Sequence, residues 1–226
     1  MIDFHTHTIW SDGDLIPAEL VHRAFVIGYR AIALTDHVDA SNIEHVVPGL
    51  VRAAVSLRGS YDITVLPGAE LTYVPPALIP EMIQQARNLG ARIVVVHGES
   101  PVEPVPRGTN AAAIKGGCDI LAHPGLITEE DAAESAEKDV CLEISARKGH
   151  SLTNGHVAAM ALKTGAKLIL NTDTHSPSDL ITRKTAEQIL LGVGLDALAV
   201  ANTFKNSEHL LYEYEKSLKE SLKEGD

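Results

Sequence analysis

At 226 residues, with 45% hydrophobic residues and a mean hydropathy near zero, the chain can bury a full core as one domain of ordinary α/β size. Its net charge of −11 argues against a broad surface for a phosphate backbone, so extended nucleic acid is not an expected partner; a small cationic pocket remains compatible with it. No apolar run approaches the roughly 18 residues that span a bilayer, and acidic Asp3 stands where a signal peptide carries its positive region. The cytoplasm is therefore the expected location and no membrane partner is expected.

Short β-branched runs alternate with longer helical patterns, which predicts a parallel sheet in an α/β fold. The strand-like runs are Ile2 to Phe4, Ala31 to Thr35, Ile63 to Leu66, Ile93 to Val96, Asp119 to Ala122, Val140 to Ile144 and Lys167 to Asn171, seven in all. Between them, Pro17 suits a first helical turn, Gly28, Gly90 and Gly165 sit where C-terminal caps belong, and Thr128 opens T-E-E-D as a helix start. Cys118 and Cys141, each among apolar strand-type residues, read as buried free thiols, which fits a reducing compartment. From Asn206 to Lys223, Leu210, Leu211, Tyr214, Leu218 and Leu222 recur at helical spacing, predicting an amphipathic helix over about 206–223 that packs on the outside of the domain, its last turn frayed. A role for it in oligomerisation is the lesser reading, and a homo-oligomer is left open.

The polar residues fall at one end of this skeleton. His5 and His7 follow the first strand, His37 the second, Glu70 the third, His97 the fourth, His123 the fifth, and Asp173 with His175 the seventh. In a parallel barrel all these C-terminal ends open on one face, where such folds build active sites. Any one such histidine is more often a hydrogen-bonded structural residue; the coincidence across six strands separates the set from that reading. In His5-Thr6-His7 the period-two alternation of an extended chain sends both imidazoles to one side, so both can bind one ion. Asp173-Thr174-His175 has the same geometry, although its two donors can also serve neighbouring ions. Glu70 can bridge two ions through its two oxygens. Asp12, in S-D-G-D, either closes a third site or is an ordinary turn residue. Histidine with carboxylate suits Zn, Mn and Fe alike and points to hydrolytic chemistry.

The H-T-H-T opening, S-D-G, T-D-H at Thr35 to His37, G-A-E at Gly68 to Glu70, His97 after V-V-V, A-H-P-G around His123, E-I-S at Glu143 to Ser145 and the late T-D-T-H occur in this order from residue 2 to about residue 177. Together they resemble the polymerase and histidinol phosphatase (PHP) superfamily. The resemblance implies a distorted (β/α)7 TIM-like barrel with two or three divalent metal ions that hydrolyses phosphoesters. Carried over by position, it implies one ion held by His5, His7, Glu70 and Asp173, a second by Glu70, His97 and His123, and a third by Asp12, His37 and His175. Some members have His where this chain has Asp12, which makes the third site the least secure. Paired ions roughly 3.5 to 4 Å apart, bridged by Glu70 and a solvent molecule, would supply hydroxide near neutral pH for attack on phosphorus. His175 or Asp173 would protonate the leaving group, a role that metal binding weakens.

A phosphate also needs donors from the protein. Arg147 and Lys148 follow the sixth strand, and Arg147 is the first choice because a guanidinium binds phosphate bidentately. Arg107 in P-V-P-R-G and His150 in K-G-H-S are further candidates, each with a solvated loop residue as its alternative. Glu143, inside the sixth strand, reads as a hydrogen-bonded interior carboxylate that could orient a ligand. His22, His45 and His209 read as surface residues and His156 as structural, while Trp10 either packs on a substrate ring or covers the metal site. The short loops predict an open mouth. The expected partner is a small phosphorylated metabolite and the expected enzyme a phosphatase for a small phosphomonoester, histidinol phosphate being the substrate of one family branch. The alternatives are a nucleotide phosphodiesterase or exonuclease and, from the likeness of S-A-R-K-G-H-S to a ribonuclease P protein, a noncatalytic RNA-binding subunit. The complete ligand set and the acidic charge oppose the last.

Overall fold

A computed structural model describes residues 1–223, with side chains through 216 and at 218. Eight strands, all paired in parallel, make one sheet: β1 (Ile2–Asp3), β2 (Ala31–Leu34), β3 (His37–Val38), β4 (Thr64–Leu71), β5 (Ile93–His97), β6 (Ile120–Ala122), β7 (Cys141–Ser145) and β8 (Leu168–Asn171). Seven follow the order β1-β2-β4-β5-β6-β7-β8 and curl into a nearly closed barrel, the distorted (β/α)7 form that the family resemblance implies. The unpredicted β3 continues β2: Leu34 pairs with Pro67 and His37 with Glu70, so the register is unchanged across Thr35 and Asp36. Pro67, which has no amide hydrogen to give to the ladder, lies at that interruption. It does not end β4, which runs five residues beyond the predicted Leu66 and carries Glu70 within it.

Helices α1 (Pro17–Val26), α2 (Ile43–Leu57), α3 (Ile79–Asn88), α4 (Thr109–Gly116), α5 (Glu129–Glu137), α6 (Asn154–Thr164) and α7 (Arg183–Gly192) occupy the connections. Pro17 opens α1, the Thr128 hydroxyl accepts from the Asp131 amide at 3.0 Å to cap α5, and Gly28, Gly90 and Gly165 are all left-handed just past their helices. The strands alternate strictly between two cores. Ile32, Leu34, Val94 and Val96 face the helices, whereas Phe4, Ala31, Ala33, Ile93, Val95 and Ile169 fill the barrel. Both cysteines are buried and free, their thiol pKa values pushed up by burial. Among the described residues, no helix is long and apolar enough to cross a membrane.

Closure between β1 and β8 uses side chains where a ladder would use backbone. Among the described residues, backbone pairing there is confined to a bridge between Thr6 and Thr174, where the His7 amide donates to the Thr174 carbonyl at 2.8 Å. Below it the Phe4 amide donates to Asn171 Oδ1 at 2.9 Å, and Thr172 donates to Asp3 through its amide at 3.2 Å and its hydroxyl at 2.6 Å. Asp3 is fully buried there, and burial pushes its pKa up to about 6 against the Thr172 hydrogen bonds that favour the carboxylate.

The last helix, α8 (Ala197–Lys223), begins nine residues before the predicted start and does not lie on the outside of the barrel. It crosses the N-terminal ends of the strands, with Leu211 and Tyr214 in the inner core, Leu210 and Leu218 packed against it, and Asn206 Nδ2 donating to the Leu168 carbonyl at 2.8 Å. A barrel whose interior is apolar at one end needs a floor, and the apolar stripe of α8 supplies it. The Leu222 side chain and the expected fraying of the last residues lie outside the described residues. Leu211→Ala should lower stability by about 2–4 kcal/mol in urea denaturation, because its side chain is 2% exposed in that floor. Leu198→Ala in the same helix, at a side chain 67% exposed, should change stability by less than about 0.5 kcal/mol.

Candidate metal centre

At the opposite end of the barrel, nine donors meet. Past β1 the chain stays extended through Thr6, so His5 and His7 project together into the mouth, both fully buried. Glu70, near the end of β4, stands at the middle of the group. Its Oε1 lies 3.3 Å from His5 Nε2, 3.4 Å from His97 Nδ1 and 3.8 Å from His123 Nε2, and its Oε2 lies 2.6 Å from His37 Nδ1 and 3.6 Å from His7 Nε2. Asp173 Oδ1 lies 3.2 Å from His7 Nε2 and 3.6 Å from His5 Nε2. On the more exposed side, Asp12 Oδ1 faces His175 Nε2 at 3.2 Å and His37 Nε2 at 3.5 Å.

His37 is close enough to Glu70 to hydrogen-bond to it, but many of the other donors are left without a partner. His5 Nε2, both nitrogens of His7, Glu70 Oε1, His97 Nδ1 and His123 Nδ1 are buried and have no hydrogen-bond partner. Buried polar atoms are seldom left so, because each loses its hydration without compensation. Separations of 3.2 to 3.8 Å between such atoms are those of neighbouring ligands around one cation. Four groups have donor atoms all within 4.8 Å of one another: His5, His7 and Glu70; His5, His123 and Asp173; Glu70, His97 and His123; and His7, Asp12, His37 and His175. The residues present therefore fit a shared, multinuclear divalent centre. All nine sequence-derived ligand positions are brought together, and His7 reaches the outer group as well as the inner one.

The electrostatics suit cations. Burial, with His37 and other imidazoles around it, holds His7 well below its usual pKa, and burial with His97 and His150 does the same to His123. A neutral imidazole is the metal-binding form. Burial pulls His5 down, but the Glu143, Asp173 and Glu70 carboxylates outweigh it and hold this histidine well above the usual range. Burial, with Glu70 opposing the attraction of His5, pushes Asp173 up to about 7. Two carboxylates and several imidazoles thus share one buried space, with the Arg147 guanidinium at its edge.

Local structure aims these groups. His123 and Asp173 have left-handed backbones, φ +29° and +53°, a strain of roughly 1–2 kcal/mol each that turns their side chains inward at the ends of β6 and β8. The turn bearing Asp12 is pinned by Asp36, which accepts from the Thr8 amide at 2.8 Å, the Thr8 hydroxyl at 2.9 Å and the Ser11 hydroxyl at 2.8 Å. Gly13 completes that turn because a Cβ there would stand 2.5 Å from the His7 carbonyl oxygen. Thr72 Oγ1, 2.6 Å from His37 Nδ1, holds that ring beside Glu70. Asp36 and Thr72 escape the sequence reading; only the adjacency of Asp36 to His37 in T-D-H signals it.

The proposed phosphate donors divide. Arg147 reaches the centre: its Nη1 contacts His175 Nδ1 and donates to the Asp173 carbonyl at 3.2 Å, with Asp173 Oδ1 at 3.5 Å. His150 is not a solvated loop residue but a buried wall, its ring stacked on His123 at 3.9 Å, Nδ1 2.7 Å from Ser100 Oγ, and its pKa pushed down to about 4 by burial. Lys148 is exposed and makes no hydrogen bond or ion pair among the described residues. Arg107 is exposed in a separate surface cavity with Glu99, Leu126 and Asp131, so neither cation is brought to the donors. Trp10 packs its six-membered ring where a Cβ on Gly49 of α2 would come within 2.6 Å, which makes it a brace between loop and helix. His22, His45 and His209 are exposed, and His156 Nε2 binds the Ile127 carbonyl at 2.8 Å, as expected of surface and structural residues.

Glu143 takes the orienting role. Its Oε2 accepts from His5 Nδ1 at 2.7 Å and from Asn171 Nδ2 at 3.2 Å, which fixes the His5 tautomer and leaves Nε2 facing the centre. Glu143→Gln should weaken metal binding by about 10- to 100-fold in competition with a chromophoric chelator. Unchanged affinity would reduce Glu143 to an interior packing residue.

This arrangement has relatives. The PHP domain family model matches residues 3–220. The uncharacterized protein MJ1295 of Methanocaldococcus jannaschii is 50% identical over 218 residues, covering 96% of this chain and 97% of that protein. Among solved structures, a chain in archaeal ribonuclease P with mature tRNA superposes with a TM-score of 0.73 at 13% identity, over 97% of this chain and 93% of that one. Histidinol phosphate phosphatase from Lactococcus lactis, solved with zinc, L-histidinol and phosphate, superposes with a TM-score of 0.58 at 15% identity, over 92% and 93%. At those identities the structures speak to the fold, while the family match spans nearly the whole sequence. The chain belongs to the PHP domain family.

Proposed function

We propose that the protein is a metal-dependent phosphatase for a small phosphomonoester, of which histidinol phosphate is one candidate. The observation that carries this reading is the cluster of buried, unpartnered donors around Glu70 with the Arg147 guanidinium beside it. In it His5, His7, Glu70 and Asp173 would hold one divalent ion, Glu70, His97 and His123 a second, and Asp12, His37 and His175 a third, with Zn, Mn or Fe suited to the donor set. When bound, such ions supply an acidified water as nucleophile and neutralise charge on phosphate oxygens.

The chain's own residues do the rest. Glu70, with imidazoles against both of its oxygens, would contribute to two of these sites, and Glu143 keeps His5 in one orientation. Arg147 exchanges its contacts with His175 and Asp173 for a bidentate grip on the phosphate, placing phosphorus over the centre. Of the two groups assigned to protonate the leaving oxygen, His175 is the better placed, its side chain 14% exposed against 4% for Asp173. The likeness to a chain of archaeal ribonuclease P supports a second reading, a noncatalytic RNA-binding subunit. Against it stand the intact donor set and the charge of −11.

The test is turnover by the protein reconstituted with Zn, Mn or Fe on a panel of phosphomonoesters including histidinol phosphate, with a nucleotide diester alongside. Monoester turnover is expected, and His97→Ala should reduce it by about 100-fold or more. Turnover of the diester alone would make the protein a phosphodiesterase, and inactivity throughout would favour the RNA-binding role. Arg147→Ala should raise KM by about tenfold or more, the worth of charge-assisted hydrogen bonds to phosphate. An unchanged KM would confine Arg147 to bracing Asp173.

A further inference from the structure

Tyr73, just beyond β4, is not among the donors yet lies directly against one of them. Its ring and that of His97 are 5.8 Å apart between centroids and inclined by only 24°. Strand alternation alone would not put it there. Glu70 and Thr72 point to the centre and Leu71 into the outer core, so a continued strand would send Tyr73 outward with Leu71. Instead the backbone turns left-handed at Tyr73, φ +56°, and the ring stands on the His97 side. A non-glycine residue rarely adopts that conformation, and such exceptions gather at functional sites. Nor does the placement bury the ring: Tyr73 is 56% exposed. Leu78 and Val102, from the loops after β4 and β5, add exposed apolar surface at the same end of the barrel.

From this geometry we infer that Tyr73 is the stacking platform for a planar aromatic leaving group, which makes aryl or heteroaromatic phosphoesters the preferred substrate class. The inference rests on the phosphoesterase reading for where phosphorus sits. A phosphate bound over Glu70, His97 and His123 places its ester substituent within one side chain of Tyr73, whose solvent-facing surface is free to receive a ring. Tyr73 would set specificity and take no part in bond cleavage.

Phenylphosphonate and methylphosphonate test this, because they share the phosphonate head, differ in the ring and carry a carbon–phosphorus bond that hydrolysis of an ester does not break. Isothermal titration of the metal-loaded protein should show tighter binding of phenylphosphonate. Tyr73→Leu keeps apolar cover on His97 but loses the flat face, and should reduce the phenyl-over-methyl preference by about fivefold or more; Tyr73→Phe should retain it. The inference is overturned if the wild-type protein has no such preference, if the leucine variant keeps it, or if both phosphonates weaken equally in that variant, which would make Tyr73 a support for His97 alone. Turnover of phenyl phosphate is read separately. Its absence beside an intact ring preference and turnover of other monoesters would overturn aryl phosphoesters as the substrate class, whereas inactivity on every phosphomonoester beside that preference would reject the phosphoesterase reading and leave the aromatic subsite standing.

Discussion

One buried carboxylate governs the architecture of the mouth. Glu70 has no solvent exposure and faces five imidazoles, those of His5, His7, His37, His97 and His123. An isolated ionised carboxylate in such a place is strongly disfavoured; burial alone raises its pKa. Here His5 and His37 reverse that and hold Glu70 well below its usual range. The site is thus stable only as a collective, in which each donor is tolerated because of the others, and divalent cations would complete that compensation. Strand ends from six directions are needed to assemble it, which is why it belongs to a barrel and not to a hairpin or a helix pair.

The two ends of the barrel divide the work. At the floor, α8 and the inward-facing residues give an apolar core that needs no polar compensation. At the mouth, polar burial and left-handed backbones at Tyr73, His123 and Asp173 cost stability. The floor and the outer core offset that cost and fix the strand ends, so most donor positions are set by the rigid sheet, while Asp12 and His175 are held by hydrogen-bonded loops. The more exposed Asp12, His37 and His175 side is accordingly the part of the centre with the most freedom to adapt.

Much of this was legible before the structure, for a physical reason. Parallel strands write their period-two pattern locally, and residues just past their ends share one face, so the seven strands and the histidine, Glu70 and Asp173 donors are readable in short windows of sequence, whereas Asp12 reads there equally as a turn residue and is singled out only by the family resemblance. What was not legible depends on distant partners. Asp3 and Asn171 look like ordinary strand residues, and only contact across 167 residues or more shows that they close the barrel. The apolar stripe of α8 announces burial without saying against what, and it meets the barrel floor. His150, Lys148 and Arg107 look equivalent as loop residues, yet one is walled in beside His123 and the other two face solvent. Trp10 required knowledge of Gly49 on a separate helix.

Whether these donors form a multinuclear cation site is decided by atomic emission on protein stripped with chelator, loaded separately with zinc, manganese or iron(II), and desalted. At least two equivalents per chain should remain with a metal the site accepts. Less than one equivalent with every metal, from folded protein, would contradict the account.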